Sequence, residues 1–366
     1  MAVVEWVSVQ VAGREIRIRT GGELPKPGNA YLWPSVGEYP VYDEYLYHAM
    51  LEDEARNKLF RGAIEAAAPG KVVAEFGCGP DLLWSLAAAQ AGARRVYAVE
   101  VLEDSAAAAE ETARAHPQAP VTVVRGLSTE VALPERADLC VAELVGSIAG
   151  AEGMVRAVTD AHDRHLAPAA PVIPARVRTM VGAVDLHEIL GGEPTVPAAF
   201  APYVEAVLQS VGHPFDLRFC VGDVDEDALK STTGVLEDLR FSEQSYVLGG
   251  ELRLRIERAG RIDGLLAWID LAAAPDGPIV NSLTEPTNWL PVYIPFAGEE
   301  PVQAEVGDTL TLRATVEDGA DGIHPDYFFD GHLTGAATWE PVPVRAQSRH
   351  SGGPFRATLL HRGIMQ

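Results

Sequence analysis

Between residues 71 and 143 short apolar segments alternate with helical ones, and this alternation constrains the fold more than any other feature of the chain. Lys71–Phe76, Arg95–Val101, Val121–Arg125 and Asp138–Glu143 read as strands. Leu82–Ala91 reads as a helix ended by Gly92, and Asp104–Ala115 as a second helix stopped before Pro117. Strands alternating with helices of this length predict a parallel sheet covered on both faces. After Pro174 the texture changes. Leu236–Phe241, Glu251–Glu257, Leu265–Leu271, Thr309–Val316 and Trp339–Val344 are strand-like and separated by Gly, Asp and Pro turns, as in an antiparallel sheet or barrel. Helical pieces around Pro202–Ser210 and Asp225–Lys230 read as insertions between barrel strands.

Ahead of the α/β half, Val7, Val9, Val11, Ile16 and Ile18 alternate around Gly13, which predicts a hairpin followed by a Pro/Gly-rich loop to Pro40. From Asp43 to Ala68 the pattern is helical, with Leu51, Ala55, Leu59 and Ala63 at spacing four. The expected organisation is a hairpin and loop over 1–41, a Rossmann-like α/β domain over 42–174, and a β-barrel domain over 175–366. A chain of 366 residues suits two domains.

Composition narrows the partners. Fifty-two acids against twenty-nine bases give a net charge of −23, which disfavours nucleic acids and anionic membranes and suits a cationic ligand. Cys78, Cys140 and Cys220 are too few and too scattered for a disulfide framework or a CxxC metal site. The N-terminal Met1-Ala-Val-Val-Glu-Trp lacks a basic start and apolar core, and no apolar run reaches spanning length, so a cytoplasmic protein is expected.

Glu75-Phe-Gly-Cys-Gly-Pro-Asp stands between the first strand and its helix. Gly77 and Gly79 let the backbone approach a ligand, and the following helix presents free N–H groups there. Glu100 ends the second strand, where a carboxylate can accept both hydroxyls of a ribose. A dinucleotide site would want a third glycine where Leu82 stands. An acid ahead of the first glycine, as Glu75 is, is instead the pattern of S-adenosylmethionine sites, and that cofactor is expected. Asp81 replaces the third glycine usual in methyltransferases.

Glu143 ends the fourth strand and Glu152 follows nine residues later. Both can face the crevice at the carboxyl end of the sheet, and two adjacent carboxylates call for a cation between them. A planar, always-charged guanidinium fits. From spacing alone, Glu152 serves equally well as an acid at the start of the helix beginning Gly153-Met-Val.

Several separate segments together resemble the protein arginine N-methyltransferase family, from about Tyr42 to residue 345. Met50-Leu-Glu-Asp53-Glu-Ala-Arg56 is similar to the family's helix that covers the cofactor; the resemblance implies that Arg56 binds the methionine carboxylate and that Asp53 orients the substrate side. Glu75, Gly77 and Gly79 match the glycine motif and Glu100 the ribose acid. Gly126-Leu-Ser128-Thr129 resembles the segment over the adenine, with Thr129 where the family has glutamate. Glu143 and Glu152 match the double-glutamate loop, though Leu144-Val145 replaces the usual Trp-Met. Residues 166–174 resemble the link into the family's barrel. Thr287-Asn288-Trp289 stands where the family has Thr-His-Trp. An amide at Asn288 hydrogen-bonds but takes no proton, so proton loss would fall to Glu143, Glu152 or water.

The resemblance implies an S-adenosylmethionine-dependent arginine N-methyltransferase with a Rossmann-like domain, a barrel and a helical dimerisation arm at about 186–230, hence a homodimer. The two departures favour free arginine or a small arginine-like metabolite in a bacterial natural-product pathway over an arginine in a protein or peptide. A non-catalytic cofactor binder and a methyltransferase for amines or carboxylates are rival readings. Met50, Asp53, Asn288 and Trp289 are candidates for the substrate side, and Tyr42, Tyr45 and Tyr47 for the pocket lining. His162 and His165 read as a solvated helix face rather than a metal site, Cys78 as a small loop residue, and His324-Pro-Asp326-Tyr327 as a turn. No resident metal is expected.

Overall fold

The computed structural model describes residues 4–22, 26–36, 39, 41, 44–336 and 340–366. Five parallel strands lie in the order Val121–Arg125, Arg95–Glu100, Val72–Phe76, Leu139–Ala142, Val172–Ile173. All five residues of Val72–Phe76 are buried, as expected for a strand covered on both faces. The chain winds outward from this central strand in one direction, then returns and adds Leu139–Ala142 on its other side. The loops diverge at that reversal and leave a crevice beyond the carboxyl ends of the strands. The Glu75–Gly79 turn and the segment after Ala142 both end there.

The helical stretch expected over 43–68 is two helices, Glu44–Glu52 and Glu54–Ala67. Asp53 separates them in an extended conformation and caps the second, its carboxylate accepting the Arg56 backbone N–H at 2.9 Å. An aspartate satisfies an orphan N–H better at a helix start than inside a helix, which is why the break falls here. Tyr42 lies outside the described residues, as do Trp339 and the Tyr45 side chain.

The second half is antiparallel. One sheet runs Ser245–Leu248, Gly234–Arg240, Arg176–Val184, Gly264–Ala272, Val292–Pro295, Phe219–Gly222, Tyr31–Pro34, with Ile279–Asn281 beside Gly264–Ala272. A second sheet joins Gly250–Arg255, Thr309–Asp318, Pro325–Thr334 and Pro341–Ser348. Leu236, Leu254, Leu265, Ile294, Leu312 and Phe329 fill the space between them as one core.

Two expectations are corrected. Asp225–Lys230 forms only a single 3₁₀ turn, Glu226–Ala228, because the Lys230 N–H is drawn away to the Ala183 carbonyl at 2.8 Å. Tyr31–Pro34, expected within the N-terminal loop, is an edge strand of the barrel sheet paired with Phe219–Gly222. Gly222 faces Tyr31 in that register, and a Cβ on Gly222 would stand 2.2 Å from the Tyr31 ring. The absence of a side chain there lets the ring lie over the neighbouring strand.

Between Arg176–Val184 and Phe219–Gly222 the chain inserts the helices Leu186–Leu190 and Ala201–Val211, in the region expected to form an arm. Their apolar faces do not project. Val204, Val207 and Leu208 pack with Val9, Val11, Ile16 and Ile18 of the hairpin Val4–Gly21, and with Leu360 and Ile364 of the C-terminal helix, in a core of their own. Backbone hydrogen bonds from Gly21 to Val196 (3.1 Å) and in both directions between Arg17 and Gln366 (2.8 Å) fix this arrangement.

Candidate active site

The glycine turn forms the floor of a cavity of about 310 Å³. Gly77 and Gly79 have φ of +73° and +63°, and a Cβ on Gly77 would meet the Leu144 side chain at 2.7 Å. Only glycine combines that backbone with that closeness. Glu100 accepts the Gly79 N–H at 2.9 Å and the Leu102 N–H at 2.9 Å, which holds its carboxylate at the rim with further lone pairs available. Glu75 is buried in the wall. Its Oε2 accepts the Ser85 hydroxyl, whereas Oε1 has no hydrogen-bond partner. Burial pushes its carboxyl up to about 8 despite the Ser85 hydrogen bonds. An orphaned carboxylate oxygen beside a glycine cradle fits the ammonium of an amino acid attached to a nucleoside, the outline of S-adenosylmethionine.

Arg56 enters the same cavity from the first turns of Glu54–Ala67. Its Nε donates to Glu143 Oε2 at 3.1 Å, and Nη2 bonds the same oxygen. Nη1 donates to the Met50 carbonyl and to Asn57 Oδ1, each at 3.0 Å, and the guanidinium lies 5.1 Å over the Trp84 ring. One N–H on Nη2 remains for an incoming carboxylate. Burial raises the Glu143 carboxyl, and the charge and hydrogen bonds of Arg56 pull it back down. The result is a buried ion pair that orients Glu143 and stabilises its ionised form.

A second cavity of about 330 Å³ lies on the other side of Glu143. Met50, Arg56, Glu143 and Glu152 line both cavities, so the two acids stand where they meet. The far walls are aromatic. Tyr31 and Trp33 come from the edge strand and Phe200 from the helical insertion, with Trp33 and Phe200 rings 4.2 Å apart in edge-to-face contact. Thr287, Asn288 and Trp289 close the remaining side. Trp289 is anchored in the core, its Nε1–H donating to the Val145 carbonyl at 2.8 Å. The Asn288 backbone N–H donates to Asp53 Oδ2 at 2.8 Å, so the Asp53 carboxylate ties the helix start to this loop. Thr287 Oγ1 and Asn288 Nδ2 are buried without hydrogen-bond partners, at the cavity.

No protein-family model matches the chain. Over 305 residues it is 31% identical to a probable histone-arginine methyltransferase CARM1 of Oryza sativa, a match covering 72% of this chain and 54% of the rice protein. It is 27% identical over 276 residues to an arginine N(omega)-methyltransferase of Streptomyces achromogenes, covering 73% of this chain and 74% of that relative. The solved structure of Arabidopsis thaliana protein arginine methyltransferase 10 matches with a TM-score of 0.66 at 19% identity, over 84% of this chain and 97% of the other. The homologues and structural neighbours of this chain are protein arginine N-methyltransferases.

The structural likeness, at that identity, establishes the fold: a Rossmann-like domain joined to an antiparallel barrel. The chain spans about half the length of the rice relative. Against the arginine methyltransferase motifs, Arg56, Glu75, Gly77, Gly79 and Glu100 meet at one cavity; Met50, Glu143 and Glu152 line it and its neighbour. Ser128 and Thr129 are not among the residues lining either cavity. The Ser128 carbonyl accepts from Arg164 at 3.0 Å, which ties this loop to the helix Met154–Arg164. Tyr47 lines the cofactor-side cavity and its hydroxyl pairs with Ser105 at 2.9 Å. Cys78 is buried there, its thiol pushed up by burial. His162 is half-buried and bonded to the Phe241 carbonyl at 3.0 Å, and His165 is buried, so the two do not form the solvated face expected of them. Sequence reasoning missed Tyr31, Trp33 and Phe200, whose positions depend on distant strand pairing. His324 does lie in the turn between the strands Thr309–Asp318 and Pro325–Thr334, with Pro325, Asp326 and Tyr327 opening the second strand, and it also lines the cofactor-side cavity.

Proposed function

We propose that this protein transfers a methyl group from S-adenosylmethionine to a guanidino nitrogen of free L-arginine or a small arginine-like metabolite. The observation that supports this reading is the shared wall: Met50, Arg56, Glu143 and Glu152 separate a cavity suited to an amino-acid-bearing nucleoside from one lined by carboxylates and aromatic rings. When bound, the cofactor supplies an electrophilic sulfonium methyl. Arg56 and Glu75 would hold its carboxylate and ammonium, and Glu100 its ribose. Glu143 and Glu152 would hold the substrate guanidinium through charge-assisted hydrogen bonds and direct one nitrogen toward the shared wall. Most of the rate gain would come from alignment and from fixed charge in a site shielded from water.

The second cavity favours a small substrate. Its volume lies at the low end of small-molecule sites, roughly 300–1,000 Å³. Tyr31, Trp33 and Phe200 occupy its far side, and Thr287 and Asn288 offer polar groups to the α-carboxylate or α-amine of a free amino acid. The Streptomyces relative, named an arginine N(omega)-methyltransferase, supports arginine as the methyl acceptor; its being free, and a place in bacterial natural-product chemistry, are part of the proposal. The rice relative, named a histone-arginine methyltransferase, favours a protein arginine as the second reading. A homodimer is part of the proposal; because the inner face of Ala201–Val211 is covered by the hairpin, its contact would use the outer face, where Pro202 and Ser210 are exposed.

The test offers the purified protein and S-adenosylmethionine equal concentrations of free L-arginine and an arginine-rich peptide, with both read by mass spectrometry. A methyl gain on free arginine alone is expected; a gain on the peptide alone would replace this reading by the second. Glu143→Gln and Glu152→Gln should each retain cofactor binding and lose turnover, and wild-type turnover in both would remove the guanidinium assignment.

A further inference from the structure

Transfer of a methyl group to a guanidinium releases one proton. The N–CH₃ bond forms as the S–CH₃ bond breaks, sulfur keeps the bonding pair, and the nitrogen that gained the methyl gives up a proton. This inference rests on the transfer proposed above and asks where that proton goes. Glu143 is held in its ion pair with Arg56, and the Asn288 amide takes no proton. Among the described residues lining the two cavities, His324 is the only imidazole.

His324 and Glu152 line the same cavity, and the residues next to each in the chain, Ile323 and Gly153, are in contact. The preceding residue, Ile323, packs on Gly153 so closely that a Cβ there would stand 2.9 Å from the Ile323 carbonyl, and Arg156 clamps the same loop through the Gly322 carbonyl. His324 Nδ1 pairs with Asp321 Oδ2 at 2.6 Å. Burial alone would raise the Asp321 carboxyl. The His324 ring and the Ile323 and His324 backbone N–H groups outweigh that and bring it down to about 2. An ionised aspartate on Nδ1 fixes the tautomer with hydrogen on Nδ1 and makes Nε2 the basic nitrogen. The His324 ring stacks 4.0 Å from the His350 ring, whose Nε2 lies 3.5 Å from the same Asp321 oxygen. The His324 side chain is 20% exposed, which gives a proton a way out to solvent.

We propose that His324, oriented by Asp321, is a relay that passes the proton released at the guanidinium from Glu152 to solvent. Asp321, His324 and His350 also bring three donor atoms within 4.8 Å of one another. However, rings only 7° from parallel direct their lone pairs side by side rather than onto one ion.

The experiment compares the intact protein with His324→Asn and Asp321→Asn in methyl transfer to the substrate identified above, and records histidine ¹⁵N spectra without cofactor. The titratable groups facing the ring are Asp321 and His350, with Asp326 behind His350 accepting its backbone N–H at 2.7 Å; Glu152 lines the same cavity, and Arg156 holds the adjoining Gly322 carbonyl. H324N should lower kcat roughly 10²-fold, within the ordinary range for a lost acid–base group, with KM for cofactor and substrate within about twofold. Added imidazole should restore part of the rate. In the spectra, the His324 signal should show hydrogen on Nδ1, and D321N should shift it toward a mixture of tautomers. Unchanged kcat in H324N, a loss confined to KM, or a spectrum with hydrogen on Nε2 would each overturn the relay. If H324N does not fold, the spectrum and the D321N rate decide the matter. A wild-type protein that methylates no guanidino compound would instead remove the proposed activity, and the relay with it.

Discussion

Glu75 shows how one residue links the sequence motif to a measurable property of the site. A carboxyl with its ionisation pushed up to about 8 is mostly neutral at pH 7, and an ammonium at its unpartnered Oε1 would favour the charged form. Binding an amino-acid-bearing nucleoside should therefore release a proton. Calorimetry of S-adenosylhomocysteine binding at pH 7, in buffers of different ionisation enthalpy, should show release approaching one proton. Equal apparent enthalpies across buffers would show that Glu75 is already ionised. Glu75→Gln should abolish the release and weaken binding by about 2 kcal/mol, the scale of a hydrogen bond to a charged group. The same carboxyl affects stability. Its folded-state value lies above the ordinary carboxyl value of about 4.5, so its contribution is complete below about 4.5 and is lost as the pH rises through about 8. His165 and His361 are both pulled down by burial, so they oppose this trend only on the acid side of the ordinary imidazole range. Between pH 7 and 9 the cofactor-free protein should lose stability, and E75Q should lose less, as read from urea midpoints.

At the scale of elements, the Asp53 junction and the Tyr31–Pro34 strand do most to shape the site. Asp53 uses one oxygen for the Arg56 N–H and the other for the Asn288 N–H. An asparagine has a single acceptor oxygen and can keep only one of these bonds. Asp53→Ala should cost about 1 kcal/mol for the lost cap, with a further loss from the released loop. Asp53→Asn should fall between, and hydrogen exchange at the Asn288 amide should rise in both variants. Unchanged exchange would show that the loop is held by Trp289 alone. Gly222→Ala should push the Tyr31 ring aside, change KM for the guanidino substrate and leave cofactor affinity alone; an unchanged KM would take Tyr31 out of the substrate wall. The parallel strands, the glycine turn and both acids were legible in the sequence because each is a local signal: an apolar run, a glycine pair, a carboxylate at a strand end. Tyr31–Pro34 was not. Four residues beside Pro and Gly carry too little periodicity, and the strand exists because Phe219–Gly222, far along the chain, offers it an edge. Phe219–Gly222 and Val292–Pro295 escaped for a related reason, since strands buried on both faces do not alternate. The helix break at Asp53 was readable in hindsight from its capping preference. The apolar spacing on either side concealed it.

At the scale of the molecule, the N-terminal hairpin, the helical insertion and the C-terminal helix form one apolar core, and that core supports the aromatic side of the proposed substrate cavity. Phe200 belongs to it outright, and Tyr31 and Trp33 pack against it. The residues proposed to hold the cofactor lie elsewhere, on the parallel sheet and the helix Glu54–Ala67. This division predicts that the two binding functions separate when the hairpin is removed. A chain lacking residues 1–21 exposes Val204, Val207 and Leu208 to water, at a cost of roughly 1.5–3 kcal/mol for each large side chain so uncovered. It should associate or precipitate more readily than the intact chain in light scattering. At concentrations where it stays dispersed, it should bind S-adenosylhomocysteine with unchanged affinity. Its KM for free arginine should rise, and its discrimination between arginine and an arginine-rich peptide should narrow, because the wall that limits substrate size has lost its support. If the truncated chain keeps both its dispersity and its KM, the hairpin is dispensable to the site, and the selectivity must come from the Thr287–Trp289 loop and the two acids alone.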